Sequence, residues 1–126
     1  MHKMIDLGKL GEEIICIYLK NTGHLIQHTN YHSRYGEIDI ISEDDKYIVF
    51  VEVKTRKSFK FSRAIESVNK SKRIKIIKTA YCYLEENPTS KQPRFDIAEV
   101  LIDSYNKPHI TYHENSFDVE ECDAFF

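Results

Sequence analysis

The chain has 126 residues, 41% of them hydrophobic and 30% charged, enough for one folded domain and too apolar for a disordered one. No apolar run reaches the ~20 residues of a membrane span, and Met1 to Lys9 lacks the apolar stretch of a signal peptide. The three cysteines, Cys16, Cys82 and Cys122, include no close pair and read as reduced thiols of a cytoplasmic protein, not as a disulfide framework or zinc site.

The formal net charge of −2 hides a split. From Lys54 to Lys91 eleven Lys and Arg stand against three acids, a net of +8, whereas residues 114–126 hold five acids and no Lys or Arg. The expected organisation is therefore one domain over 1–113 and an acidic tail over 114–126. A basic stretch suits a polyanionic partner, and a solvated helix face is the alternative.

Leu7, Leu10, Ile14, Ile17 and Tyr18 recur at helical spacing and predict a helix from about Met4 to Asn21, with Gly23 as a C-terminal cap. Strands are predicted over His24–Tyr31 and Gly36–Ser42. The segment Tyr47–Thr55 is the strongest strand, β-branched and aromatic almost throughout, and should be central and buried on both faces. A long helix is expected over Ser62–Glu86, with Ile65, Val68, Ile76, Ala80, Tyr83 and Leu84 inward, ended by Asn87-Pro88. Phe95–Ile102 reads as a strand, and Pro108–His113 as a short edge strand because of its proline. The order α-β-β-β-α-β-β permits a parallel crossover, hence a mixed sheet flanked by helices.

Glu52 and Lys54 are anomalous in the central strand. Two apart, they share a face, and burying them is costly unless they are paired or ligate a metal. A structural Glu–Lys pair would explain them alone. Glu37 and Asp39 repeat the pattern on the preceding strand. If Ser42 pairs with Tyr47, Glu37 opposes Glu52 and Asp39 opposes Phe50, so Glu37, Asp39, Glu52 and Lys54 converge on one face. Three close carboxylates need a cation among them, and all-oxygen donors favour Mg²⁺ or Mn²⁺. His24, His28 and His32 would align on a helix, but their segment reads as strand and loop. Tyr31, Tyr35, Phe59 and Phe61 flank the basic segment and could stack on bases or pack at the core's rim.

Asp39 followed by Glu52-Val53-Lys54 resembles the motif of the PD-(D/E)XK nuclease superfamily, with Ile38 in place of the proline that names it. The helix sequence Gly8-x-x-Gly11-Glu12, then Gly36-Glu37-Ile38-Asp39, Phe50-Val51-Glu52-Val53-Lys54-Thr55-Arg56 and Arg94-Phe95-Asp96, are similar to the YraN-like family within it, itself similar to Holliday junction resolvases. The resemblance covers about residues 8–101 and implies a restriction-endonuclease-like α/β fold with an α-β-β-β-α-β core.

It also implies roles for individual residues. Asp39, Glu52 and the Val53 carbonyl would be metal ligands, and Lys54 would orient water and stabilise phosphate charge. Glu37 would serve a second metal or a metal-held water, and Glu12 would be an additional acidic residue reaching the site from the first helix. Thr55, Arg56, Lys57, Lys60, Arg63, Lys70 and Arg73 would hold nucleic acid, expected to be DNA. The implied activity is metal-dependent phosphodiester hydrolysis on branched or otherwise structured DNA, with a homodimer as one form it could take. The alternative is a non-catalytic nucleic-acid-binding module that keeps the fold.

Overall fold

In the computed structural model, residues 6–57 and 68–119 are described. Helix α1 (Leu7–Asn21) begins where the Asp6 carboxylate accepts a hydrogen bond from the Lys9 N–H. Its start is thus later than the hydrophobic pattern alone suggests, because the cap and not the periodicity sets the boundary. Its other end closes with Gly23 at φ +90°, the His24 N–H reaching the Leu19 carbonyl and the Gly23 N–H that of Lys20. That paired return of carbonyls is available cheaply to glycine.

The strands are β1 (Leu25–Ser33), β2 (Gly36–Glu43), β3 (Tyr47–Lys57), β4 (Gln92–Ile102) and β5 (Pro108–Phe117). They form one mixed sheet in the order β1-β2-β3-β4-β5, with β3 and β4 parallel and the other neighbours antiparallel. The strongest predicted strand is central, and the proline-led strand is at an edge, as predicted. β5 runs four residues beyond its predicted end because Phe117 is buried, stacked 5.2 Å from Phe95.

The parallel crossover contains α2 (Lys70–Glu86). The expected helix does not run unbroken from Ser62 to Glu86, because the chain is not helical at Val68 and Asn69. Asn69 is extended (ψ 175°), and its side chain accepts from the Lys72 N–H, so α2 starts at Lys70. Phe59, Lys60, Phe61, Ser62, Arg63 and Ile65 lie outside the described residues, as do Met4 and Cys122.

The sheet has a core on each face. Under α2 lie Ile38, Ile41, Ile48, Phe50, Phe95 and Ile97; under α1 lie Ile40, Val49, Val51, Val53, Ala98 and Val100. Strict alternation would put Ile38 with Ile40. Instead the pattern breaks at Asp39, next to where the β2–β3 ladder ends at Ile40↔Val51. The sheet therefore forks between these two strands. No helix among the described residues is long and apolar enough to cross a membrane.

Candidate active site

The fork is where the predicted carboxylates meet, but in a register different from the expected one. Ser42 pairs with Val49 and Ile40 with Val51, so β3 is shifted by two residues relative to the Ser42–Tyr47 pairing. The cause is the turn: Asp44 Oδ1 accepts from the Lys46 and Tyr47 N–H groups, and the Asp44 N–H donates to the Tyr47 carbonyl. This side-chain-closed turn lengthens the hairpin ladder. Continued past its last pair, the register sets Asp39, not Glu37, opposite Glu52.

Asp39 occupies the gap itself. Its Oδ2 accepts from the Val53 N–H at 2.8 Å, replacing a strand–strand hydrogen bond with a side-chain one. A residue's N–H and C=O leave a strand on the same side, so the Val53 carbonyl also points into the fork. Glu52 stands on the α2 side, within hydrogen-bonding reach of Asp39, and its Oε1 lies 3.7 Å from Lys54 Nζ. Glu12 comes from α1, on the other side of the sheet, and also reaches Asp39. Glu37 is not drawn in with Lys54: it is exposed and pairs with His32 at 3.3 Å, adding only its charge near Glu12. The expected single-faced cluster is instead a chain, Glu12–Asp39–Glu52–Lys54, threaded through the fork.

The electrostatics follow from this crowding. Burial, then the Asp39 charge, pushes Glu52 up to about 8. Burial, then Asp39 and more weakly Glu37, pushes Glu12 up to about 7. Both carboxyls keep their protons to a higher pH than an ordinary glutamate, and a bound cation would displace them. Among the described residues no three Asp, Glu, His or Cys side chains are already gathered around one point as ligands, because Glu12 and Glu52 approach Asp39 from opposite sides. The donor set still suits a hard divalent cation: two carboxylates and a carbonyl, all oxygen, at Asp39, Glu52 and Val53.

Sequence reasoning missed two members of this site. Lys72, in the first turn of α2, meets Lys54: their hydrogen bond, then burial, lowers the Lys72 pKa, while Glu52 and Asp39 oppose the shift. Asn30, left-handed at φ +52°, hydrogen-bonds Glu12. The Asn69 cap was the available signal for Lys72, since it places that lysine in a first turn and not mid-helix.

The remaining predicted residues are distributed. Thr55 faces α1, its Oγ1 buried with no hydrogen-bond partner among the described residues, against Gly11. Lys57 is exposed at the end of β3 and Arg56 is half-buried beside it. Lys70 is exposed. Arg73 donates to the Val68 carbonyl and lies over the Phe117 ring, bracing the start of α2. The three histidines sit apart from one another's partners: His24 on Ser42, His28 against Tyr31, His32 on Glu37. Arg94 and Asp96 form a buried pair on the α1 side, away from the fork.

A mixed five-stranded α/β domain with a carboxylate–lysine chain through a strand fork is thus the class to which the protein belongs. Residues 11–100 match the Uncharacterised protein family UPF0102. The chain is 38% identical over 117 residues to a UPF0102 protein of Clostridium botulinum, covering 90% of this chain and 95% of that one. It is 39% identical over 116 residues to one of Clostridium kluyveri, with the same coverage. The chain belongs to the UPF0102, or YraN, family.

Proposed function

We propose that the protein is a divalent-metal-dependent nuclease that hydrolyses phosphodiester bonds in DNA, acting on branched or otherwise structured substrates. The observation that supports this most is Asp39 set in the fork between two raised-pKa glutamates, with Lys54 and Lys72 alongside. An ion pair made for stability alone would need one acid per base and no crowding of carboxyls. Asp39 and Glu52, with the Val53 carbonyl, would hold Mg²⁺ or Mn²⁺, which supplies Lewis acidity toward phosphate and water. Lys54 is held near the site by Glu52 and orients water and offsets charge building on the phosphate. Lys72 adds a second amine on the same side, its pKa lowered by its hydrogen bond with Lys54. Glu12 is a proton-holding group on the opposite side of Asp39. Lys57 and Lys70 carry charge toward the nucleic-acid backbone, as would Lys60 and Arg63 of the undescribed segment.

The test is incubation with linear, single-stranded and branched DNA in Mg²⁺, Mn²⁺ or EDTA. Cleavage is expected only with metal, and should be abolished in Asp39→Asn and Glu52→Ala. It should fall by about 100-fold or more in Lys54→Ala, as for other preorganised charge-stabilising groups. Asparagine is chosen at 39 because it keeps an acceptor for the Val53 N–H. If the wild type cuts nothing with any divalent ion yet binds DNA equally with and without metal, the protein is a binding module on this fold.

A further inference from the structure

Beyond Lys54 the charged groups continue across the sheet, away from the fork. β4 sets Glu99 beside Lys54 and Ile97 beside Glu52, and β5 sets His113 beside Ile97. Residues paired side by side share a face, so Glu52, Lys54, Glu99 and His113 all stand on the α2 side, and Arg56 joins them one row further along. His113 does not rest over its own neighbour. It reaches diagonally to Glu99, with Nε2 2.6 Å from Oε2, and so turns toward the row of Lys54. The two side chains are 21% and 18% exposed, sheltered from bulk water but open to a ligand on that face.

This pairing decides which ring atom is available. A carboxylate only accepts hydrogen bonds, so the hydrogen lies on Nε2. Nδ1 has no partner among the described residues. It carries a lone pair in the neutral ring and an N–H once the ring is protonated, and an imidazolium N–H is a charge-assisted donor to phosphate. β5 lies two strand spacings from β3, roughly 10 Å. That takes His113 out of reach of an atom held by Asp39 and Glu52 and leaves it a neighbouring phosphate. Lys54, Arg56 and Lys72 on the same side offset the charge of Glu99 toward such a ligand.

We infer that a nucleic acid strand leaves the metal site across β4 and β5, with His113 Nδ1 bound to a backbone phosphate next to the reacting one and Glu99 as the positioning residue that sets the ring. The inference rests on the proposed nuclease reading and deepens it, by naming the direction in which the substrate runs.

The test is binding of a four-way DNA junction in EDTA, where cleavage plays no part, with the His113 ring nitrogens followed by NMR. Nε2 should bear the hydrogen in the free protein, and saturating DNA should move Nδ1 to its protonated position. Glu99→Leu should lose that response and Glu99→Gln, which still accepts from Nε2, should keep it. At about pH 6 His113→Gln should bind about tenfold more weakly, the scale of one charge-assisted hydrogen bond. Its slope of log affinity against log salt should be shallower by about one, as for removal of one phosphate-bound cation. At about pH 9, where histidine is neutral, the two slopes should coincide. Glu12, Glu52 and the other charged groups on this face, Glu99, Lys54, Arg56 and Lys72, are the same in both proteins and cancel in the comparison. If His113→Gln or Glu99→Leu does not fold, the wild-type ring signals and Glu99→Gln decide. A ring unmoved by saturating DNA, an unchanged salt slope in His113→Gln at the lower pH, or inorganic phosphate that moves Nδ1 as fully as DNA at equal phosphate concentration would overturn the inference. A protein that cuts DNA with its His113 ring unmoved refutes the phosphate contact alone. One whose ring responds but which cuts nothing with any divalent ion refutes the nuclease reading alone.

Discussion

Gly11→Ala should destabilise the protein by about 2 kcal/mol, and the structure indicates why. A Cβ at Gly11 would stand 1.7 Å from Thr55 Oγ1 and 2.9 Å from Thr55 Cβ. The hydroxyl could rotate away, but Thr55 Cβ is fixed to β3. Carbon atoms settle at about 3.5–4.0 Å, so α1 would have to lift by roughly 0.6–1 Å. Overpacking that no rotamer change relieves costs about 3 kcal/mol, the upper end of the usual range. The better helix propensity of alanine returns about 1 kcal/mol. For a domain of this size the net loss corresponds to a fall in Tm of roughly 8 °C. Urea melts of Gly11→Ala, Thr55→Gly and the double variant test this: because Thr55→Gly removes both clashing atoms, Gly11→Ala should be slightly stabilising in that background, and the cycle should show about 3 kcal/mol of coupling. Gly8→Ala is the control, since its Cβ would meet only Asp6 Oδ1 at 3.4 Å, and it should be neutral or slightly stabilising. A Gly11→Ala protein as stable as the wild type, or a cycle with no coupling, would refute the reasoning. The lifted helix should also carry Glu12 away from Asp39, so Glu12 should titrate lower in Gly11→Ala.

In EDTA the stability of the wild type should fall as pH rises from about 5 to 8: Glu12 and Glu52 have folded pKa values raised to about 7 and about 8 from 4.5, so their contribution is complete below the unfolded value and lost through the folded one. Glu52→Gln should flatten that profile in chemical melts, and Mg²⁺ should reverse its slope; a wild-type profile in EDTA that is flat or rising and unchanged by Glu52→Gln would contradict the crowding argument. Asp96→Ala should cost about 3–5 kcal/mol, because it leaves the buried Arg94 guanidinium with only the exposed Glu114, 3.9 Å away, and also removes the acceptor for Tyr112 Oη at 2.7 Å and the Asn115 N–H at 2.8 Å. A loss below about 1 kcal/mol by urea denaturation would show that this network is not structural.

Much of the protein was legible in its sequence because the signals are local. The β-branched run at Tyr47–Thr55, the helical spacing from Leu7 to Tyr18 and the proline at 108 each state an element's type without reference to the rest of the chain. Charged Glu52 and Lys54 inside an apolar strand likewise mark a site, because their burial is costly wherever the strand lies. Arg94-Phe95-Asp96 was visible as a pattern, but its meaning was not: only packing against Tyr112 and the bend at Asn115 makes it a buried structural pair.

Tertiary structure decided how the acids meet. The alternation rule preserves face identity under a two-residue shift, so the hairpin register could be wrong while Glu52 and Lys54 stayed together. It cannot anticipate a strand that breaks its own alternation, as β2 does at Asp39, because that break depends on where the β2–β3 ladder stops and on α1 and α2 pressing opposite faces. For the same reason Glu12 and Lys72, 60 residues apart in the chain, reach one fork from opposite sides. Periodicity specifies the direction of a side chain relative to its own element; which elements stand next to each other is set by burying two apolar faces of one sheet at once, a condition on the whole chain.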